Sequence, residues 1–485
     1  MNSFTLPKRR LKMQCHSRRY HRDARNRDAS GASELSSVNE EPSMPIGYHR
    51  FTFPQSCILD RIIEERCIRS FEKVDRKNPA NFHRGLKMTL QKADTTNIVI
   101  TLGDVIHYQR GLVGRNTCVV TAEGPEWPGK QLVVKISWPS IYRDSEKKFI
   151  DAAKAKAREM TSKGKEHWVL DHLPEIFHSE EFQFDDEDSP QGRLRKLLID
   201  AAYVDGNTFI YDERFPRITV SERLCSLDTL NDVKEIGQVF LDILQCHRWL
   251  FDHPKILHRD ISMTNVMYRR RHGQVCGVLN DFDLSSFLPL RDASSLHRTG
   301  TAPYMACDLL RATDISHLYR HDIEALFYVL MMLCCHYEIV RSDKGSTMKE
   351  LKTEKGKKPP FSDWFDRMMT WEALSRQKRC FLAEDTPIPT STSFSAFLPW
   401  LQDIRVAFGD GFHARTKSKI QPNPKRKIPA NFIPPSERDL TNRPSSIQVP
   451  VPFDDETLGG YVVYSDFLAT MSDIGGHSLV IKNVQ

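Results

Sequence analysis

The apolar positions of this chain repeat with two periods. Val233, Ile236, Phe240, Ile243, Leu244, His247 and Leu250 recur at the three- and four-residue intervals of a single helix face, so the spacing predicts a long amphipathic helix there. Residues 321–333 (HDIEALFYVLMML) are apolar nearly all round beyond their first turn, which predicts a helix buried on every side. That run is too short for a membrane span, which needs about 20 apolar residues. Strands are predicted where β-prone residues cluster: Leu132-Val133-Val134-Lys135-Ile136, and Ile218-Thr219-Val220-Ser221-Glu222-Arg223-Leu224. Val266-Met267-Tyr268 and Val275-Cys276-Gly277-Val278-Leu279 form a predicted hairpin, joined by the basic, Gly-containing residues 269–273. Residues 453–485 regain apolar side chains, including Tyr461, Val462, Val463, Tyr464 and Phe467, and are expected to pack back on the body.

Composition adds boundaries. With 485 residues and 40% apolar content, the chain can hold one large domain plus extensions. A net charge of +6 does not call for nucleic acid, and the eleven cysteines never form C-x-x-C, which suggests reduced thiols in the cytosol or nucleus. No apolar run follows Met1, so neither a secretory signal nor a membrane anchor is expected. Residues 1–45 carry Lys8-Arg9-Arg10 and Arg18-Arg19 and suit a basic disordered arm, either a nuclear localisation signal or a soluble tail. Eight prolines and Lys425-Arg426-Lys427 between residues 413 and 452 mark a linker or docking segment, and Asp185-Asp186-Glu187-Asp188 a solvated insertion. No internal repeat stands out.

The densest chemistry lies in Leu257-His258-Arg259-Asp260-Ile261-Ser262-Met263-Thr264-Asn265 and, after the hairpin, Asn280-Asp281-Phe282-Asp283. Phosphoryl transfer needs a carboxylate to orient the attacking hydroxyl and accept its proton, and amide and carboxylate oxygens to hold Mg²⁺ against the nucleotide. Asp260 fits the first role; Asn265 and Asp281 fit the second. The two runs resemble the catalytic and metal-binding loops of protein kinases, with five residues from Asp260 to Asn265 and Arg259 beside the base. Three polar residues in an ordinary loop would be the bland alternative; the correctly spaced second run argues against it.

Residues 298–308 (RTGTAPYMACD) resemble the end of a kinase activation segment. That implies Thr301 hydrogen-bonding near Asp260 and a surface shaped to receive a peptide, hence a protein substrate. Cys307 and Asp308 stand where such segments usually have Pro and Glu, so the ion pair of that carboxylate with an arginine of the large lobe is expected to be longer or absent. Ser294, Ser295 and Thr299 are candidate phosphate acceptors that would pair with Arg259. Asp322 opens the predicted buried helix, where exposed N–H groups favour a carboxylate and where it can brace the catalytic loop.

Upstream, Gly111-Leu112-Val113-Gly114-Arg115-Asn116-Thr117-Cys118-Val119 sits where a glycine-rich loop would cover phosphates, although Leu112 and Thr117 replace two of three glycines. Taken alone, that stretch suits a simple β-turn better. Lys135, on its strand one hairpin later, is the candidate for the α- and β-phosphates. Its acidic partner is Glu146, with Phe149 and Ile150 anchoring an inward helix face; Glu159 is the rival, and either can be a surface charge. In the linker the backbone of Glu222 and Leu224 would meet adenine, beside Ser221. The ATP-binding set is therefore Leu112, Gly114, Val119, Lys135, Ser221, Glu222 and Leu224.

Gly111-Leu112-Val113-Gly114-Arg115-Asn116-Thr117, Val134-Lys135-Ile136-Ser137-Trp138, residues 258–262, Asp281-Phe282-Asp283-Leu284 and residues 298–301 resemble, in this order, the fungal-type protein kinases, a divergent branch of the eukaryotic protein kinases. The resemblance spans about residues 98–408. It implies an α+β, two-lobed fold, with a small β-rich N-lobe and a large helical C-lobe, ATP and Mg²⁺ as cofactors, Ser/Thr specificity and a fungal source. It also implies two departures from mainstream kinases. Ser262 stands where Ser/Thr kinases carry a Lys facing the γ-phosphate, a loss on the order of 10²-fold in rate. Asp283 replaces a Gly and either recruits metal or is a surface charge, the second being preferred.

The organisation expected from these features is a basic arm (1–45), an N-terminal extension (46–97), the N-lobe and hinge (98–224), the C-lobe (225–410), a Pro-rich basic linker (411–452) and a C-terminal segment (453–485). An active protein kinase is the leading function. A pseudokinase or nucleotide-binding scaffold is the first alternative, and a small-molecule phosphotransferase the second, disfavoured by Arg259 and Gly300-Thr301. Partners are an unidentified protein substrate and docking partners for the arm and the Pro-rich linker, without membrane or specific nucleic acid.

Overall fold

The computed structural model describes residues 67–68, 83–92, 94, 96–109, 115–161, 165–182, 213–289, 300–311, 315–343, 345–351, 358–419 and 452–482. Leu112, Gly114, Ser294, Ser295 and Thr299 lie outside them, as do the basic arm, the acidic insertion and most of the Pro-rich linker.

Seven strands form one antiparallel sheet: β1 (Cys67–Ile68), β2 (Lys87–Gln91), β3 (Asn97–Tyr108), β4 (Cys118–Glu123), β5 (Leu132–Ser137), β6 (Ile176–Glu181) and β7 (Arg217–Glu222), in the order β1-β2-β3-β4-β5-β7-β6. The sheet begins ahead of residue 98, where the N-lobe was expected to start. The reason is legible in β2, whose Met88 and Leu90 alternate with Lys87, Thr89 and Gln91 and pair with β3 at Met88↔Ile100. On β5 the same period of two sends Leu132, Val134 and Ile136 into the sheet's own core and leaves Val133 and Lys135 on the opposite face. Val119 of β4 pairs directly with Lys135.

Helix α1 (Glu146–Met160) starts at Ser145, whose hydroxyl accepts from Lys148 N–H. Its buried face, Phe149, Ile150, Ala153 and Ala157, belongs to the second and larger core rather than to the sheet's core. That larger core is built on α2 (Val233–Asp252) and α4 (Tyr319–His336), with α3 (Cys307–Arg311) between them in sequence and α5 (Trp371–Ala383), α6 (Leu398–Lys419) and α7 (Tyr464–Thr470) after them. Seventeen of the eighteen residues of α4 are buried, from Tyr319 to Cys335, as a helix apolar on every side requires. Among the described residues, no helix is long and apolar enough to cross a membrane.

Strand β8 (Cys225–Ser226) follows β7, and β9 (Ile256–Leu257) leads into the catalytic-loop residues. The hairpin of β10 (Val266–Arg271) and β11 (Gln274–Leu279) pairs Val266↔Leu279, so the residues flanking it, Asn265 and Asn280, are neighbours and Asn280 N–H donates to Asn265 C=O at 2.9 Å. Strand β12 (Ser286–Phe287) pairs with β9, closing the loop that begins at Asp281. A further hairpin joins β13 (Tyr337–Ser342) to β14 (Gly345–Glu350).

The C-terminal segment packs on the larger core. Leu458, Val462, Phe467, Met471, Ile474 and Leu479 are buried in it, and a short hairpin of β15 (Asp473–Ile474) and β16 (His477–Ser478) lies on α2. Gly411 on α6 makes room for this: a Cβ there would sit 2.7 Å from Leu458 Cβ. Val480 N–H donates to Gln238 Oε1 at 2.8 Å and Trp400 Nε1–H to Asp473 C=O at 2.7 Å.

Candidate active site

Lys135 and Glu146 meet through the sheet–helix junction. The strand carries Lys135 out of the sheet's core side, the Ser145 cap fixes the start of α1, and Nζ lies 3.4 Å from Glu146 Oε2. Glu159 is exposed at the other end of α1 and pairs with Lys156. Lys135 Nζ is also 2.6 Å from Asp281 Oδ1 and 2.9 Å from Asp283 Oδ2, so three carboxylates share one ammonium. Burial would strip that ammonium of its proton, but Asp281, Asp283 and Glu146 outweigh it and push its pKa up.

The carboxylates respond unequally. Burial would raise Asp281, yet Lys135 and Arg115 hold its carboxyl well below the usual range. Burial pushes Glu146 up to about 7; Lys135 opposes this and Asp283 and Asp281 reinforce it. Asp281 itself sits at φ +64°, a left-handed conformation, and its Oδ1 accepts from Asp283 N–H at 3.3 Å. Oxygens of Glu146, Asp281 and Asp283 lie within 4.8 Å of one another, an all-oxygen set of the hardness a divalent cation such as Mg²⁺ requires.

Asp260 is held by the loop around it. Its Oδ1 accepts from Thr301 Oγ1 at 2.9 Å, and its C=O accepts from Asn265 Nδ2–H at 2.8 Å. Burial raises its pKa, with Arg115 opposing and Asp281 adding to the rise; a raised value suits a group that must take up a proton. His258, pulled down to about 4 by burial, is neutral, donates from Nε2 to Asn280 C=O at 3.0 Å and accepts from Asp260 N–H at Nδ1. Asp322 secures the backbone beneath: it accepts from His258 N–H at 3.0 Å, from Arg259 N–H at 3.1 Å, and from the imidazoles of His247 at 2.8 Å and His317 at 2.7 Å. Arg259, at φ +69°, donates to Ser286 Oγ at 2.6 Å.

Of the linker residues, Ser221 and Glu222 are the last two of β7 and Leu224 lies just beyond it. Ser221 pairs with Val133 on one side and Ile176 on the other. Glu222 N–H donates to Glu175 C=O at 3.0 Å, its carboxylate meets Arg269, and Leu224 is buried two residues on.

Two expectations are corrected. Asp283 is not a surface charge: its side chain is 2% exposed and lies against Lys135, because the left-handed turn at Asp281 folds the next residues back into the site. Nor is the Asp308 ion pair long or absent. Asp308 takes both Nη atoms of Arg415 at 2.7 Å and Nη2 of Arg320 at 2.8 Å, the shorter side chain being met by arginines from α4 and the last turns of α6. With Cys in place of Pro, residue 307 keeps an N–H, which donates to the buried Glu324 carboxylate at 2.7 Å.

Arg115 is the site residue that motif spacing overlooked. Its Nη2 lies 3.7 Å from Asp260 Oδ2, and its Nη1 3.8 Å from Asp283 Oδ2 and 4.0 Å from Asp281 Oδ1. The available signal was a deficit, Ser262 in place of a cation, together with an Arg at the edge of the glycine-containing loop. The geometry thus gathers an ammonium, a guanidinium, four carboxylates and an asparagine from five separate stretches of chain. A sequence model of the family described as fungal protein kinase matches residues 78–334, more than half of the chain, and takes in β2 through most of α4. The chain belongs to the fungal protein kinase family.

Proposed function

We propose that this chain is an ATP-dependent protein kinase that transfers the γ-phosphate of Mg-ATP to a serine or threonine hydroxyl of a protein. The observation that carries the proposal is the convergence on one place of Lys135, Glu146 and Asp281 with Asp260, which Thr301 orients. In this reading the sheet is the small lobe and the helical body the large one, with nucleotide between them and the Glu222–Leu224 backbone against adenine. Lys135, braced by Glu146, would hold the α- and β-phosphates. Asp281 and Asn265 would hold Mg²⁺, with Asp283 close enough to take part, and the metal would draw charge off the phosphates. Asp260 orients the hydroxyl and accepts its proton, Arg259 steadies the loop, and the Gly300–Asp308 stretch faces the substrate.

Purified protein with labelled ATP and Mg²⁺ is expected to label itself or a generic basic protein on serine or threonine, and Asp260→Asn is expected to lower transfer by at least about 10³-fold. Equal transfer by the two proteins would overturn the proposal. Ser262 favours a second reading, a nucleotide-binding scaffold, because it withholds a cation from the γ-phosphate position; a nucleotide-dependent thermal shift with no transfer by the wild type would select it.

A further inference from the structure

One charge in the site is displaced rather than missing. Ser262 is buried, and its hydroxyl lies 3.1 Å from Thr264 Oγ1, turned to its own loop. The side of the base where an ammonium would be expected therefore carries a neutral group. Arg115, from the segment ahead of β4, brings a guanidinium to within 3.7 Å of the same base.

The chain around Arg115 fixes where its side chain begins. Trp138 N–H donates to Arg115 C=O at 2.7 Å, and Asn116 follows at φ +44°, a left-handed step that leads into β4. From this root the guanidinium crosses to Asp260, Asp281 and Asp283 at 3.7–4.0 Å. None of these is a locked, charge-assisted pair, which would close to about 2.7–2.9 Å. Lys135, at 2.6 Å from Asp281, is committed by comparison. The Arg115 guanidinium is spread over three carboxylates and bound tightly to none, a cation stored at the site with its hydrogen-bonding edge available for a stronger anion. Burial works against its charge, but Asp281, Asp283, Asp260 and Glu146 outweigh burial and keep it protonated.

We propose that Arg115 is the residue that contacts the γ-phosphate during transfer, taking the place that Ser262 leaves open. The inference rests on the protein kinase reading above and adds a catalytic residue to it. In the transfer step the substrate hydroxyl oxygen bonds to the γ-phosphorus, the bond from that phosphorus to the β–γ bridging oxygen breaks, ADP leaves with the electron pair, and the hydroxyl proton passes to Asp260. The non-bridging γ-oxygens carry charge throughout, beside the base that Arg115 already reaches. A planar fork with several N–H donors can meet two such oxygens at once, which an ammonium cannot. Were Arg115 only a counter-charge for the three aspartates, it would matter as much to a bound diphosphate as to a triphosphate, and that difference is measurable.

The test compares wild type, Arg115→Met, Arg115→Lys and the double variant Arg115→Met/Ser262→Lys, each checked for an unchanged far-UV spectrum and melting transition. Two quantities are read with Mg²⁺: phosphate transfer to a generic basic protein, and affinity for ADP against a non-hydrolysable ATP analogue. Arg115→Met is expected to lower transfer by about 10²-fold, to leave ADP affinity within about twofold and to abolish the preference for the analogue. Arg115→Lys should fall between, and Ser262→Lys in the Arg115→Met background should recover at least a tenth of the lost rate. Wild-type transfer and preference in Arg115→Met would overturn the inference, as would an equal loss of ADP and analogue binding. If the wild type binds nucleotide without transferring phosphate, the affinity ratio alone decides. If it binds no nucleotide, the protein kinase reading fails and takes this inference with it.

Discussion

Two sets of carboxylates, all buried except the half-buried Asp281, occupy this molecule, and they are finished differently. Asp308, Asp322 and Glu324 meet close donors: two arginines on Asp308, two backbone N–H groups and two imidazoles on Asp322, a backbone N–H and the Tyr328 hydroxyl on Oε1 of Glu324. Glu146, Asp260, Asp281 and Asp283 crowd instead around two long cations, Lys135 and Arg115. The arginines on Asp308 close to 2.7–2.8 Å and commit its oxygens. Arg115 stays 3.7–4.0 Å from Asp260, Asp281 and Asp283, so the second set is suited to exchange this partner for another. Burial alone does not separate the two sets; how closely the donors approach does.

Breaking the first set should cost the most. Asp322→Ala leaves two imidazoles and two buried N–H groups without their acceptor, and a loss of about 3–5 kcal/mol of unfolding free energy is expected in urea titration; a change below about 1 kcal/mol would mean that the donors find other partners. Lys378 sharpens the same side. It is fully buried, donates to Met305 C=O at 2.6 Å and lies 4.0 Å from the centroid of the Tyr328 ring. Burial pulls its ammonium from 10.5 down to about 7. Between pH 7 and 10.5 the unfolded chain then binds a proton that the folded protein does not, so this group makes stability rise with pH across that window and adds no slope below it. The melting temperature of Lys378→Met should lack that rise; an unchanged slope from pH 7 to 10 would sink the assignment. The smallest effect on stability is expected in the second set. Asp283→Asn relieves repulsion among neighbouring acids as it weakens a contact with Lys135, and should cost clearly less than the roughly 3–5 kcal/mol of breaking a buried pair while raising the Mg²⁺ concentration needed for transfer. A loss comparable with that of Asp322→Ala would erase the distinction between the two sets.

Legibility in the sequence followed the distance over which a feature is encoded. Asp260, Asn265 and Asp281 lie within one loop–hairpin–loop unit, where spacing along the chain is spacing in space, and Asp322 announces itself as the acid opening an all-apolar helix. Strand β2 was equally local, its period of two standing in plain view ahead of residue 98. Arg115 and the pairing of Asp308 with Arg415 were not local: each joins residues more than a hundred positions apart. Only a missing charge at Ser262 and a shortened acid at Asp308 hinted that a compensating residue existed, and neither says where. The burial of Asp283 depended on a backbone turn at Asp281 that residue type alone does not dictate.

The arginines that grip Asp308 also hold the far end of the chain. Arg320 donates to Asp455 C=O, Arg415 lies 3.3 Å from Asp455 Oδ1, and Tyr319 N–H donates to Glu456 Oε1 at 3.0 Å. Asp308 and the stretch at Asp455 thus hang from a common pair of hooks. Whatever tugs on one slackens the grip on the other, and residues past the family-matched region become part of the frame that holds Asp308 in place.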